Sequence, residues 1–305
     1  MPAYHAQATV SAAIRSVLRQ TYADFELFVV DDGSTDATAD VVEAFLVDPR
    51  VHLIRHGRNI GLAAARNTAI DAGRGRYVSM LDSDDVWLPT YLEVMHGLLA
   101  ARPDVGLVYT DAWAFDDVTR RFLRTSAMHF QDPPVPPPTE PLAFLAELLE
   151  RNFVFTSATV PRSVFDRLGG YNTALSSAED YELWLRIAVR GYPVLRTPGR
   201  LAIYRKRPGS ISTQERLMLL GLVEAYNLVA SDERVPPVLR DRAKKLRLNA
   251  ERSLAILDGE RGSALVPELV RRSVQRLKQR VGNRLLQTRA IPPEVQAAFP
   301  DLHGI

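Results

Sequence analysis

The chain has no cysteine in its 305 residues, so disulfides, thiolate zinc sites and cysteine nucleophiles are excluded together. No apolar run approaches the roughly 20 residues that cross a bilayer, and no basic-then-apolar leader opens the chain. Neither sign of charge is in excess, and a net +2 gives no bulk electrostatic case for nucleic acid. The six histidines supply no ligand set, since His52 and His56 straddle a strand end rather than share a helix face. A strand signal ahead of the first helical pattern is also missing. That pattern, through Val10, Ile14, Val17 and Leu18, follows Met1-Pro2-Ala3-Tyr4 almost at once. What remains is ordinary globular composition, 46% hydrophobic and 24% charged, with room for one large domain and an appendage or for two domains. The lack of cysteine suits a reducing cytoplasm.

From the first helix onward, strand and helix patterns alternate. Residues 26–30, 51–54, 77–81 and 105–109 are short apolar runs rich in strand formers, separated by helical patterns over 41–46, 63–72 and 89–101. This order predicts an α/β fold, a mostly parallel sheet sandwiched by helices, with ligands at the carboxyl ends of its strands. Beyond Asp111 the pattern predicts a small hairpin around Phe122, a polyproline loop at 133–138, a helix at 142–149, a buried strand at 153–160, a helix opening at Ser177, and a strand at 201–204. Strand signals fade near Gln214. Helical spacing over 217–229, 238–257 and 265–286 then predicts an all-helical extension, dividing the chain into 1–213 and 214–305. Residues 271–289 hold seven basic side chains and no acid. Such a helix either packs its apolar stripe on the domain or makes peripheral contact with an anionic membrane.

Two acidic clusters fall at strand ends. The run at 26–30 leads into Asp31-Asp32-Gly33-Ser34-Thr35-Asp36, and the run at 77–81 into Asp82-Ser83-Asp84-Asp85. Carboxylates this close raise one another's pKa unless a cation sits among them, and an oxygen-only donor set favours magnesium or manganese over zinc. Alone, Asp82 to Asp85 reads equally as a solvated turn capping the next helix. Placed on one sheet edge with Asp31-Asp32, it becomes a candidate metal site. Glu179-Asp180 also has two readings, a helix start favoured by the dipole or a general base. Arg205-Lys206-Arg207 before Pro208-Gly209 suits a diphosphate, or is a solvated basic loop.

Taken in order, these segments resemble the family 2 glycosyltransferases of the GT-A fold, a Rossmann-like architecture. The matching elements are Pro2-Ala3-Tyr4, residues 16–22, Val29 to Asp36, Asn59-x-Gly61 with Leu62 to Asn67, Leu81-Asp82-Ser83-Asp84-Asp85-x-Trp87, Gly169-Gly170-Tyr171, Glu179 to Arg186, and Tyr204-Arg205-x-x-Pro208-Gly209-Ser210. The resemblance implies an inverting transfer of a sugar from a nucleotide-sugar, most simply a UDP-sugar, to a hydroxyl of a glycan or lipid-linked acceptor in polysaccharide synthesis. Under it, Pro2, Ala3 and Tyr4 form the loop against the base, Asp32 reads the base, and Arg66 and Asp82 join the nucleotide site. Asp82 and Asp84 hold Mn2+ or Mg2+, with Asp85 as the alternative ligand, and Asp180 is the catalytic base. Glu179, Trp184, Arg205 and Arg207 face diphosphate or acceptor. The implied location is cytoplasmic, peripheral on the inner face of the membrane, with the helix at 271–289 as the contact.

Three departures from the family pattern matter. The first central strand is absent, so a start downstream of the true one, or a truncated form, is expected to expose apolar neighbours. Arg207 stands where many relatives carry a histidine; it can pair with phosphate but cannot ligate metal. The Gln-x-x-Arg-Trp pattern of processive synthases is missing, which favours transfer of single sugars. A phosphatase of the haloacid dehalogenase type requires Asp-x-Asp-Gly-Thr, whereas Asp31 and Asp32 are adjacent. A sugar nucleotidyltransferase requires a Gly-rich basic loop that Pro2-Ala3-Tyr4 does not supply. The non-enzyme alternative is a catalytically impaired nucleotide-sugar-binding module.

Overall fold

The computed structural model describes residues 1–128, 138–259 and 291–299. Two sheets form the framework. The first is parallel throughout, β1 (Pro2–Ala3), β2 (Leu27–Asp31) and β3 (Val51–Arg55), with Pro2 opposite Val30 and Leu27 opposite Val51. The second contains β4 (Tyr77–Ser79), β5 (Val86–Trp87), β6 (Leu107–Asp116), β7 (Arg121–Ser126), β8 (Ala158–Pro161) and β9 (Val194–Lys206). Its strand order is β4-β8-β6-β9-β5, with β7 paired to β6 as a hairpin. Helices α1 (Val10–Leu18), α2 (Thr38–Glu43), α3 (Leu62–Ala72), α4 (Tyr91–Ala101), α5 (Pro141–Glu150), α6 (Arg162–Leu168) and α7 (Glu179–Val189) connect the strands. After them come α8 (Glu215–Ser231), α9 (Pro237–Leu257) and α10 (Pro293–Ala298). The α1 helix buries Val10, Ala13, Ile14 and Val17, the three-and-four spacing of one helical face.

Three expectations are corrected. The expected single parallel sheet is two. The first is parallel throughout, but in the second only β6–β9 is parallel, β4–β8, β6–β8, β5–β9 and β6–β7 being antiparallel. Asp32 and Asp82 therefore follow strands of different sheets rather than one edge. Antiparallel neighbours need no crossover helix, so connections such as the β6–β7 turn suffice. The strand predicted at 153–160 pairs only from Ala158; Phe153, Val154 and Phe155 are buried but unladdered. An apolar run by itself does not distinguish a ladder from buried irregular chain. The first strand is not wholly missing, because Pro2 and Ala3 are buried and paired rather than looped. The Met1 ammonium donates to the Phe28 carbonyl at 2.8 Å, and the Val30 amide donates to the Met1 carbonyl at 2.9 Å.

On the side of β2 away from β3 only these two residues pair, and β4 pairs with β8. Between β2 and β4 lies a cavity of about 740 Å³ lined by Met1, Leu27, Phe28, Tyr77, Val78 and Met95 among others. Burial pushes the Met1 amine down to about 5, against the opposing pull of Asp82. At the other end of the chain, α8 and α9 contribute Ala225, Val229 and Ala243 to the same buried cluster as Leu183 and Trp184 of α7. Val295 and Phe299, in and just after α10, pack with Val86, Phe115, Phe122 and Ile203. The predicted helix at 265–286, the basic stretch 271–289 and nearly all of the polyproline loop lie outside the described residues.

Candidate active site

The Arg66 guanidinium ties together elements far apart in sequence. It projects from the first turns of α3 and is buried. Its Nη2 donates to Asp82 Oδ1 at 2.7 Å, just past β4, and its Nη1 donates to Glu179 Oε1 at the start of α7. The ring of Tyr171 lies under it, 5.1 Å from Cζ, a cation–π arrangement. Burial alone would lower the arginine pKa, but Asp82 and Glu179 outweigh it and hold the group more firmly charged than usual. Burial raises Glu179; Arg66 opposes this, but Asp180 and Asp82 add to it. One cation therefore serves two carboxylates, and the second is left short of positive charge.

Beside this junction, the turn after β4 carries the remaining acids. Asp84 Oδ2 accepts from Arg207 Nε at 2.9 Å, and Asp85 Oδ1 accepts the Arg205 amide at 3.0 Å. Arg205 donates from Nε to the Asp84 carbonyl at 2.9 Å and from Nη1 to Asp117 Oδ1 at 2.8 Å. Burial and the neighbouring acids raise Asp84 and Asp85, Asp85 well above the carboxylate range. The Asp82 and Asp84 side chains are 26% and 21% exposed, whereas Asp85 is 2% exposed.

A divalent cation fits the donor chemistry here: oxygen ligands only, partly open, with charge crowding that a cation would relieve. Among the described residues no group of three or more acids or histidines is arranged around a single point. Hard cations of this kind take one or two carboxylates and complete their shell with substrate phosphates. Asp82 and Asp84 are the open pair; Asp85 is turned to the Arg205 backbone.

Asp180 lies next to Glu179 and faces another direction. Its Oδ2 accepts from Thr156 Oγ1 at 2.9 Å, and its Oδ1 takes its neighbour's amide, Tyr181, at 2.6 Å. Both bonds fix the carboxylate's orientation. Glu179, Asp180 and Glu182 all lie in the first turn of α7, where the helix dipole favours them.

Just past β2 on the parallel sheet, Asp32 is nearly filled by the loop that follows β3. The Ile60 amide donates to Oδ1 at 3.0 Å, the Gly61 amide to Oδ2 at 2.9 Å, and His56 Nδ1 lies 2.7 Å from Oδ1. Gly33, at φ +75°, lets this turn press on the backbone of Arg58 and Asn59, where a Cβ would collide. Of the Pro2-Ala3-Tyr4 segment, only Tyr4 is exposed, at 46%, stacked on His5 with ring centroids 4.1 Å apart.

The structure thus brings Arg66, Asp82 and Glu179 into direct contact and joins Asp84 and Asp85 to Arg207 and Arg205. It places Pro2 and Ala3 inside β1. Trp184 is fully buried in the core cluster, so it offers a ligand no surface. Its place, one turn after Asp180 on an apolar face, is where a helix packs inward. Sequence reasoning missed Thr156, His56, Tyr171 and Asp117 as partners. Thr156 sits in no motif. His56 shares no helix face with His52 and so makes no histidine ligand pair; its partner is a carboxylate, Asp32. Asp117 meets Arg205 only through the pairing of Asp116 with Lys206.

Comparison with known proteins converges on one family. The model of "Glycosyl transferase family 2" matches residues 1–169, more than half the chain. The Escherichia coli "UDP-Glc:alpha-D-GlcNAc-diphosphoundecaprenol beta-1,3-glucosyltransferase WfaP" is 30% identical over 70% of this chain and 78% of its own length. A second E. coli enzyme of the same description, WfgD, is 46% identical over 32% of this chain, a stretch that spans only 39% of WfgD. The succinoglycan biosynthesis protein ExoO of Rhizobium meliloti is 33% identical over 76% of this chain and 65% of its own length. Among solved structures, S. aureus TarS 1-349 superposes with a TM-score of 0.63 at 17% identity, covering 93% of this chain and 80% of that one. The mannosyltransferase PcManGT from Pyrobaculum calidifontis, in complex with GDP-Man and Mn2+, gives 0.60 at 20% identity over 91% and 78%. The structural likeness places the chain in the GT-A fold, and the sequence match places it in its family: the chain belongs to glycosyl transferase family 2.

Proposed function

We propose that this chain is an inverting, metal-assisted glycosyltransferase that moves a sugar from a UDP-sugar to a hydroxyl of a lipid-linked glycan acceptor. The observation that carries the reading is the Arg66 junction. It draws the acidic turn after β4 and the carboxylates opening α7 into one place, so a diphosphate site and a proton acceptor share a single cleft edge. The donor and acceptor classes are supported by the names of WfaP and WfgD, both UDP-glucose transferases acting on a diphosphoundecaprenol-linked sugar.

In this reading Asp180 receives the acceptor proton. Thr156 and the Tyr181 amide orient the carboxylate and leave lone pairs on it free for that proton. As the acceptor oxygen bonds to the anomeric carbon from the side opposite the leaving group, the bond from that carbon to the diphosphate oxygen breaks. Its electron pair stays on the diphosphate, and the configuration inverts. Arg207, 31% exposed beside Asp84, faces the growing negative charge. A divalent cation held by Asp82 and Asp84 would add Lewis-acid stabilisation to the same diphosphate. Tyr4, exposed at the end of β1, offers a ring face to the base. Asp32, 3% exposed, holds the loop at 56–61 and through it shapes the surface offered to the base.

A thermal-shift panel of UDP-, GDP- and dTDP-sugars, with and without Mn2+, tests the donor class. A ligand at about 100 times its Kd adds about 2.7 kcal/mol, several degrees in Tm. UDP-sugars with Mn2+ are expected to give the largest rise. Equal shifts for all nucleotides, or shifts indifferent to Mn2+, overturn the reading.

A further inference from the structure

We propose that Gly221, in the middle of α8, is a positioning residue for the carboxylates that open α7. The proposal rests on the reading of Asp180 as the proton acceptor and extends it to a helix that carries no motif.

Ala178, directly before Glu179 and Asp180, adopts φ 57°, ψ 22° and is buried. An alanine in this left-handed conformation is sterically disfavoured, so something outside the turn must fix it. The α8 helix does this in two ways. Ser177 Oγ donates to the Leu217 carbonyl at 2.7 Å. One turn on, Gly221 lets the Ser177 carbonyl lie flat against the helix; a Cβ there would run into that oxygen and stand 2.9 Å from the Ala178 Cβ. Glycine inside a helix is destabilising relative to alanine, and close approach is the reason it is tolerated here. Ala225 and Val229 continue the same buried face, and Tyr226 meets Tyr181 edge-on at 6.1 Å.

The consequence is leverage. Glu179 is tied to Arg66 and Asp180 to Thr156, both on other elements. The turn just before α7 is pinned by α8. A displacement of Ser177 and Ala178 by the radius of one methyl group moves both carboxylates relative to those partners. Gly221 touches no reacting group and acts only through the turn.

The test uses the full chain with UDP-glucose and Mn2+ as probe, comparing wild type, Gly221→Ala, Ser177→Ala, Gly97→Ala and Asp180→Asn. Gly97 lies in α4 with open space around it and serves as the control. Three readouts are taken: amide hydrogen exchange over residues 175–182, kcat and KM for UDP release, and UDP affinity by calorimetry. Gly221→Ala is expected to speed exchange across that segment by about tenfold. It should lower kcat by about 10²-fold, with KM and UDP affinity held within about twofold. Ser177→Ala, which deletes one bond and adds no volume, moves exchange and kcat in the same direction to a smaller degree; it carries the test if Gly221→Ala does not fold. Gly97→Ala matches wild type. Exchange over 175–182 unchanged in Gly221→Ala, or in Ser177→Ala where that variant carries the test, overturns the proposal whatever turnover does. Faster exchange with undiminished kcat overturns it as well. Undiminished turnover in Asp180→Asn instead overturns the catalytic reading, so the two failures are distinct.

Discussion

Arg66 is where sequence and site meet most sharply. The family resemblance puts it in the nucleotide site, and the structure buries it between Asp82 and Glu179. Removing one partner of a buried ion pair costs about 3–5 kcal/mol, because the other is left uncompensated. Arg66→Met keeps the apolar stem and leaves Glu179 with burial and Asp180 against its charge. Urea unfolding is expected to show a loss of that size at neutral pH. The sign of its pH dependence follows from Glu179. A carboxyl whose folded pKa is raised contributes stability that is lost as pH rises through the folded value. Removing Arg66 raises it further, so the deficit against wild type is smaller near pH 4 than near pH 8. A variant as stable as wild type across that range contradicts the role given to Arg66.

At the scale of elements, β1 carries a pH dependence. The Met1 amine is buried beside the cavity between β2 and β4. The amine is lowered from its ordinary 8.0 to about 5. Between those values the unfolded chain binds the proton and the folded chain does not, so stability rises with pH across that window. Fusing about five β-branched residues ahead of Met1, an ordinary strand length, turns the ammonium into an amide and supplies a ladder partner to the edges of β2 and β4. The expected result is a Tm higher by several degrees, with the gain largest at pH 5 and shrinking toward pH 8. No gain, or a gain independent of pH, contradicts it. The remaining elements follow their sequence signals unevenly. Helices α1, α3, α4, α7, α8 and α9 lie where apolar spacing puts them, since a helical face is written locally. The direction of β4, β8 and β5 is not, because an apolar run reads the same whichever way its neighbour points.

For the whole molecule, the acidic turn, the Glu179-Asp180 pair and the basic loop were legible because their residue types are chemically unusual at strand and helix ends. Their mutual wiring was not. Arg66 to Glu179 spans 113 positions and Arg205 to Asp85 spans 120, and no local pattern reports contacts at such range. Nor did the fading of strand signals after Gln214 reveal that α8 shares a core with α7. The central claim, that Asp180 takes the acceptor proton beside a metal-assisted diphosphate site, is tested most directly by UDP release from UDP-glucose in wild type and Asp180→Asn, with UDP and Mn2+ titrated calorimetrically into both. Asp180→Asn is predicted to bind UDP within about twofold of wild type while losing at least about 10²-fold in turnover. Turnover equal in the two proteins would contradict the role of Asp180, and nucleotide binding with no Mn2+-dependent turnover in either would leave a binding module in place of an enzyme.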